Sequence, residues 1–176
     1  MLRRIYANEN VCIGCRLCEV YCAVQHSPSQ DILKAYRQEH RPVPAIKVQE
    51  EGALSFALQC RHCEEPACLA ACLTGAMQRD ARGVVVVDAM RCIGCWSCLL
   101  ACPYGAVVRD EARRHSVKCD LCAGAAAPVC VAMCPNGALT WAEQPPTSLW
   151  ADSPADAQPI AAPTAPSDAP LKERAS

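Results

Sequence analysis

Hydrophobic positions in this chain come in short runs separated by polar and turn-forming residues. The run Val84–Val87 is continuous, which is typical of a strand covered on both faces. Preceded by residues 76–79 and a turn at 80–83, it predicts a β-hairpin over residues 76–88. No apolar run approaches the roughly 20 residues that cross a bilayer, so we expect no direct membrane span.

The dipeptide Gly-Ala stands three residues after a cysteine at three places, beginning at Gly75, Gly105 and Gly137. Each predicts a short helix that ends at the glycine and turns into a strand, because glycine accepts the left-handed conformation that ends helices. The expected fold class is therefore α+β, with short helices and small antiparallel sheets.

Two segments lie outside this repeat. In residues 23–59 the pattern predicts a helix over 31–36 and a strand pair, 46–48 with 54–57. Residues 145–176 are rich in Pro and Ala and hold seven of the fourteen prolines, which is typical of an extended tail. We expect this tail to lie as an arm on a neighbouring subunit.

Composition and charge narrow the classes of function. Of the 176 residues only 5% are aromatic, so the protein has few large side chains for a conventional core. The net charge of -1 argues against a nucleic-acid binder that depends on phosphate contacts. The basic stretch 109–118 is interpreted as a solvated loop, and a docking patch for an acidic partner surface is the alternative.

Sixteen cysteines form four groups of four in sequence order. The first and third groups have the spacing Cys-x2-Cys-x2-Cys-x3-Cys, the bacterial ferredoxin run that binds 4Fe-4S clusters. The second group stretches the middle gap to four residues and the fourth stretches it to seven. Four groups of four predict four 4Fe-4S clusters with no cysteine left over. The groups are Cys12, Cys15, Cys18, Cys22; Cys60, Cys63, Cys68, Cys72; Cys92, Cys95, Cys98, Cys102; and Cys119, Cys122, Cys130, Cys134.

Other uses of so many cysteines fit less well. A secreted disulfide scaffold needs an export signal, and residues 1–10 show no apolar segment of that kind, so we expect a cytoplasmic protein. A structural zinc-binding interaction module remains the alternative, although zinc usually takes two separated cysteine pairs and residues 12–22 crowd four cysteines together. Because no thiol is spare and nucleotide and flavin motifs are absent, we do not expect an enzyme in its own right.

The phrases CIGCRLCEVYC, CRHCEEPAC and CIGCWSCLLACPYGA carry a family resemblance that covers about residues 5–141. The chain resembles the four-cluster polyferredoxin subunits that transfer electrons in dimethyl sulfoxide reductase and formate dehydrogenase. It is most similar to the soluble polyferredoxins that accompany tungsten aldehyde oxidoreductases and carbon monoxide dehydrogenases. The seven-residue gap between Cys122 and Cys130 is shorter than in many larger relatives.

The resemblance implies that the groups are nested, the first pairing with the fourth and the second with the third. The fourth cysteine of each run then binds the neighbouring cluster. It also implies an outer two-cluster ferredoxin module (1–22 and 103–144), an insertion (23–59) and an inner two-cluster module (60–102) before the tail. The implied ligands are Cys12, Cys15, Cys18, Cys134 for cluster 1; Cys22, Cys119, Cys122, Cys130 for cluster 2; Cys60, Cys63, Cys68, Cys102 for cluster 3; and Cys72, Cys92, Cys95, Cys98 for cluster 4.

The resemblance further implies a non-catalytic subunit that relays single electrons. Its expected partners are a catalytic oxidoreductase subunit, of the tungsten-pterin type first and of the nickel-iron carbon monoxide dehydrogenase type next, and a flavin- or NAD-binding subunit or a ferredoxin. An exposed cluster at each end would permit copies to stack end to end. The insertion 23–59 is expected to shield a cluster from water or to form part of a subunit interface.

Several residues beside the cysteines have expected roles. Amides around Gly14 and Gly94 are expected to donate hydrogen bonds to sulfur, and Ile13 and Ile93 to keep water off it. His62 is interpreted as a flanking surface histidine, with a ligand or proton-coupled group as the alternative, and the other three histidines indicate no site. The helix of each run is expected to hold the fourth cysteine of that run.

Overall fold

The computed structural model describes residues 2–146, and the predicted tail at 145–176 lies almost wholly outside them. The described strands form four two-stranded antiparallel sheets between short helices, which agrees with the predicted α+β class. Among residues 2–146 the longest helix has nine residues, and no helix there could cross a membrane. The helices are α1 (Leu17–Gln25), α2 (Ile32–Arg37), α3 (Ala67–Ala70), α4 (Ser97–Ala101) and α5 (Val129–Ala132). The strands are β1 (Arg4–Ala7), β2 (Lys47–Glu51), β3 (Leu54–Leu58), β4 (Met77–Arg79), β5 (Val85–Val87), β6 (Val108–Asp110), β7 (His115–Val117) and β8 (Leu139–Ala142).

A sheet joins the two ends of the described residues. β1 pairs antiparallel with β8, so that Arg4 stands opposite Ala142. Ile5 of β1 is buried in the larger of the two hydrophobic cores. Arg3 donates a hydrogen bond from Nη2 to the carbonyl oxygen of Trp141, 138 residues away in sequence. This sheet therefore needs strands from both ends of the described residues.

The three Gly-Ala repeats adopt the predicted turn. Gly75, Gly105 and Gly137 have φ angles of 66°, 62° and 62°, in the left-handed region that glycine enters without steric cost. The alanine after each glycine is buried, and a strand begins within the next two residues. The predicted order of short helix, glycine turn and strand is confirmed at all three places, but each helix ends four or five residues before its glycine and not at it.

The fourth cysteine of a run lies inside a helix only in α1, which contains Cys18 and Cys22. Helices α3, α4 and α5 contain only the third cysteine of their runs, and the fourth follows at or just after the helix end. The prediction that the helix would hold the fourth cysteine is therefore wrong for three runs. In these three runs the backbone leaves the helical conformation at or before the fourth cysteine, and Cys102 itself is extended, with φ -77° and ψ 112°.

The predicted hairpin over residues 76–88 is present as β4 paired with β5. Val84 and Val85 are buried, as a strand covered on both faces requires. Val86 and Val87 are only half-buried. The prediction of full cover thus holds for the first half of the run and is wrong for the second.

The insertion 23–59 contains the predicted helix and strand pair. α2 begins after Asp31, whose carboxylate accepts a hydrogen bond from a backbone amide of the first helical turn at 2.8 Å and so caps the helix. β2 and β3 form an antiparallel hairpin. Val48 of β2 and Ala57 of β3 are buried in the same core as Ile5, so the insertion packs onto the half of the fold that contains the β1–β8 sheet.

The basic stretch 109–118 is a hairpin and not the solvated loop interpreted from the sequence. β6 pairs with β7, and Asp110 at the start of the turn is buried. Asp110 accepts hydrogen bonds from the backbone amide and the guanidinium of Arg113 at 2.9 and 2.8 Å. Lys118 is only 7% exposed. The physical reason is that the Asp110 carboxylate neutralises the Arg113 guanidinium within the turn, while the Lys118 side chain points into the interior.

Candidate metal centres

All sixteen cysteines are free thiols, and the fold gathers them into four groups of four. Three groups each line one cavity. The fourth group is close enough for its charges to interact: burial, and then the charges of the three other thiols, raise the pKa of Cys130. We number them site 1 (Cys12, Cys15, Cys18, Cys134), site 2 (Cys22, Cys119, Cys122, Cys130), site 3 (Cys60, Cys63, Cys68, Cys102) and site 4 (Cys72, Cys92, Cys95, Cys98).

Each site takes three cysteines from one run and one from another. Site 1, for example, combines three cysteines of the first run with Cys134, which follows α5 at the far end of the described residues. The same cysteines stand together in the nested sets that the family resemblance implies. The spatial exchange between runs means that no single run builds a complete site.

The donor set of each site is four cysteine sulfurs. Four thiolates suit either a zinc ion or an iron-sulfur cluster. The spacing of the cysteines favours the cluster, because residues 12–22 and 92–102 each have the run typical of 4Fe-4S clusters, whereas zinc usually takes two separated cysteine pairs.

Buried thiols in these sites need a cation to become thiolates. Burial is the largest cause that raises the pKa of Cys18, to about 12. Burial likewise raises the pKa of Cys119 and of Cys130. At neutral pH these groups would stay protonated unless a bound metal favoured the charged form, so metal binding and folding are coupled.

The residue just before the second cysteine of every run has a positive φ. It is Gly14, Gly94, His62 or Leu121, with φ of 66°, 67°, 43° and 58°. The amides of His62 and Leu121 donate to the sulfur two residues earlier, at 3.3 and 3.4 Å. The predicted amide donors are thus found at these two residues rather than at Gly14 and Gly94. A tight loop that turns its amides toward sulfur explains why non-glycine residues accept this strained conformation.

His62 is buried, at 1% exposed, so the interpretation as a surface histidine is wrong. Its Nδ1 accepts a hydrogen bond from the backbone amide of Val85 at 3.3 Å. Burial, and then the charge of Lys118, lowers the pKa of His62 to about 3. The ring is therefore neutral and lines the cavity of site 3. The first and third runs have glycine at the position of His62. This histidine at a glycine position was the sequence feature that could have indicated its special role.

His26 forms a contact that the sequence did not indicate. Its Nε2 lies 3.0 Å from Oδ1 of Asp120, 94 residues away, and its Nδ1 lies 2.8 Å from the carbonyl oxygen of Cys22. The bond to Asp120 is the largest cause that raises the pKa of His26 to about 11. Potential ligand atoms of His26, Asp120 and Cys122 lie within 4.8 Å of one another, but Cys122 and Cys22 already belong to site 2. The pair therefore braces site 2 and is not a separate centre.

The four sites follow one another in a row. Cys18 of site 1 interacts electrostatically with Cys130 of site 2, and Cys60 of site 3 interacts with Cys119 of site 2. Sites 3 and 4 share the smaller hydrophobic core. We call sites 1 and 4 the end sites and sites 2 and 3 the internal sites.

The end sites reach the surface. Cys15 and Cys95 are exposed, as are their loop neighbours Ile13 and Ile93, at 62% and 61%. Both isoleucines line the mouths of their cavities, as expected for side chains that cover sulfur, but more than half of each faces solvent. The end sites therefore present an apolar rim beside an exposed cysteine.

The chain is similar to a known protein family and to known electron transport proteins. A family described as "4Fe-4S dicluster domain" matches residues 52–144. The chain is 41% identical over 142 residues to the putative electron transport protein YsaA of Escherichia coli (strain K12), covering 79% of this chain and 88% of that protein.

Two further relatives from the same strain are also similar. Electron transport protein HydN is 41% identical over 155 residues, covering 79% of this chain and 87% of HydN. The B subunit of anaerobic dimethyl sulfoxide reductase is 34% identical over 145 residues, covering 76% of this chain and 70% of that subunit.

Proposed function

This protein belongs to the family of 4Fe-4S electron-transfer subunits, and from that premise we propose that it relays single electrons between a catalytic oxidoreductase subunit and a second redox protein. Its sixteen cysteines provide the ligands for four 4Fe-4S clusters. Such a cluster supplies one-electron chemistry, with a potential set by its surroundings. The observation that carries the proposal is the row of four-cysteine sites with both end sites at the surface.

Each site is assigned one cluster, and its four cysteines are the ligands. Sites 1 and 2 form an outer module (1–22 and 103–144), sites 3 and 4 form an inner module (60–102), and residues 23–59 are the insertion. Strand β7 lies in the outer range 103–144 but contacts cysteines of the inner module. The backbone amide of its Ser116 donates to Cys92 Sγ at 3.4 Å, and the Ser116 hydroxyl lies 3.1 Å from Cys98 Sγ.

The insertion is assigned the role of a shield for the outer module. The buried amide of Ala45 donates to Cys22 Sγ at 3.3 Å, and Val48 and Ala57 line the cavity of site 1. These contacts keep water from sulfur on one side of both outer sites. A hydrogen bond to sulfur favours the more negative, reduced state, so it raises the reduction potential.

The partner assignment follows the resemblance. A tungsten-pterin aldehyde oxidoreductase subunit is proposed first and a nickel-iron carbon monoxide dehydrogenase second, with a flavin- or NAD-binding subunit or a ferredoxin at the other end. The name of one relative, a subunit of dimethyl sulfoxide reductase, supports a catalytic partner in general. A cytoplasmic location fits sixteen free thiols. The exposed end sites also permit stacking of copies.

Anaerobic purification of the full-length protein tests the electron-transfer assignment against the zinc module. We expect a brown protein with about four iron and four sulfide per cluster and four reducible clusters per polypeptide. A colourless protein that holds zinc and no sulfide would establish the alternative. Purification from its native host, followed by identification of bound subunits, tests the partner: a co-purifying pterin or nickel subunit supports the assignment, and a monomer without one argues against it.

A further inference from the structure

Site 3 differs from the other cavities in the charge of its lining. The cavity of site 4 is lined by no charged side chain. The cation beside site 1, Arg16, is exposed and forms ion pairs with Glu19 at 3.3 Å and Glu50 at 3.0 Å. Site 3 instead has two cations in its lining, Arg61, which is partly exposed, and Lys118, at 7% exposed. The cation beside site 2, His26, forms an ion pair with Asp120 at 3.0 Å. The buried Lys118 beside site 3 therefore needs a separate explanation.

The ammonium group of Lys118 has no carboxylate partner within residues 2–146. It donates to the carbonyl oxygens of Val85 and Cys119, which belong to the inner hairpin and to a cysteine of site 2. Two of its three donors are thereby used, and carbonyl groups do not cancel its charge. A buried charge needs an opposite charge nearby, because burial without one costs free energy.

The anionic cluster assigned to site 3 is the counter-charge that fits. Lys118 lines the same cavity as the four cysteines of this site. The same cavity is lined by His62, whose Nδ1 accepts from the Val85 amide. The hydrogen of the neutral ring is then on Nε2, which is buried and has no partner among the described residues.

We infer that Lys118 raises the reduction potential of the cluster at site 3 above those of the other three clusters, with His62 Nε2 as an additional donor to sulfur. The inference rests on the proposed assignment of a cluster to this site. A fixed positive charge in a poorly solvated place stabilises the state with one more electron more than it stabilises the oxidised state. Electrons entering from either end would therefore collect first at an internal site.

An anaerobic redox titration of the full protein, followed by electron paramagnetic resonance, tests this inference. The Cys63→Ser variant first identifies which signal belongs to site 3. In the unaltered protein we expect that signal to appear first on reduction. In Lys118→Met we expect the midpoint potential of the site 3 cluster to fall, and to fall by more than the midpoint of any other cluster. In Lys118→Arg, which keeps the positive charge, we expect the site 3 midpoint to stay close to that of the unaltered protein. His62→Phe, which removes the donor at similar volume, should give a smaller shift in the same direction.

Lys47→Met is the matched control, because Lys47 is an exposed lysine on β2 that does not line this cavity. It should leave all four midpoints in place. The inference is overturned if the site 3 signal is not the first to appear in the unaltered protein, or if Lys118→Met holds full iron and sulfide and the midpoint does not move. Should Lys118→Met fail to bind iron, the order of reduction in the unaltered protein still decides. Failure of the electron-transfer assignment itself looks different: fewer than four clusters in the unaltered protein.

Discussion

The end sites and the internal sites share one cysteine pattern but have opposite surroundings. At the end sites the residue before the second cysteine is glycine, and the residue before that, Ile13 or Ile93, is mostly exposed. At the internal sites the residue before the second cysteine is His62 or Leu121, and both are buried. The loop backbone is left-handed in all four cases, so the difference lies in the side chain and not in the turn.

This difference separates two requirements of an electron conductor. An end site must come close to a partner, so it keeps a bare loop and an exposed cysteine, Cys15 or Cys95. An internal site only passes electrons along the row, so a buried side chain can close it from water. We therefore expect the end and internal sites to differ most in how readily they lose iron, and to differ less in the effects of single side-chain substitutions.

Treatment with an iron chelator under mild oxidation should have the largest effect. We expect the end sites, with exposed cysteines, to lose iron before the internal sites, and complete removal to unfold residues 2–146 because the thiols and cavities are left without the metal that fills them. Iron content, paramagnetic resonance and circular dichroism measured in parallel follow the order. Simultaneous loss from all four sites, or sheets that survive without iron, would break the comparison.

Leu121→Ala should destabilise an internal site strongly. Leu121 is buried in the larger core, so truncation should lower the free energy of unfolding by about 2–5 kcal/mol. Ile93→Ala truncates a side chain of similar size in an end-site loop, one position earlier in the run, where the side chain is 61% exposed, and should cost no more than about 0.5 kcal/mol. Denaturant titration of the iron-bound protein measures both. Equal costs would contradict the difference in burial.

Gly94→Ala and Gly14→Ala compare the two end sites with each other. A Cβ on Gly94 would stand 2.6 Å from the backbone oxygen of Arg114, which cannot move without shifting the hairpin. A Cβ on Gly14 would meet side-chain atoms of Glu50 and Ser55 at 3.2 Å or more. We expect a loss of about 2–3 kcal/mol for Gly94→Ala and about 1 kcal/mol for Gly14→Ala, both seen in thermal unfolding. The reverse order would show that the two loops are not packed as described.

Ser116→Ala should have the smallest effect. Its buried hydroxyl lies 3.1 Å from Cys98 Sγ at site 4, so the change removes one hydrogen bond to sulfur and should lower the midpoint potential of that cluster, with about 1 kcal/mol of stability lost. Ser97→Ala is the control, because its contact with the exposed Cys95 Sγ is longer, at 3.6 Å. A larger shift for Ser97→Ala than for Ser116→Ala would argue against burial as the reason.

The local repeat could be predicted from the sequence, whereas long-range contacts could not. The Gly-Ala phrases predicted the α+β class, and hydrophobic runs separated by turn residues predicted the β4–β5 hairpin and the elements of the insertion. The pairing of Arg4 with Ala142 and the bond of His26 to Asp120 join distant segments with no local signal.

Burial of polar residues could not be predicted from the sequence either. His62 and Lys118 look like surface residues because their types are usually exposed, and the basic neighbours of Lys118 strengthen that impression. Only the packed fold shows that Lys118 is turned toward the cysteines and that Asp110 neutralises the turn beside it.

The central claim is that Cys134 completes the end site built on Cys12, while the internal site beside it takes Cys119. Paramagnetic resonance of the reduced Cys134→Ser variant, compared with Cys12→Ser and Cys119→Ser, tests it most directly. We expect Cys134→Ser to change the same cluster signal as Cys12→Ser and to leave the signal affected by Cys119→Ser in place. A Cys134→Ser spectrum that matches Cys119→Ser instead would contradict the nested arrangement.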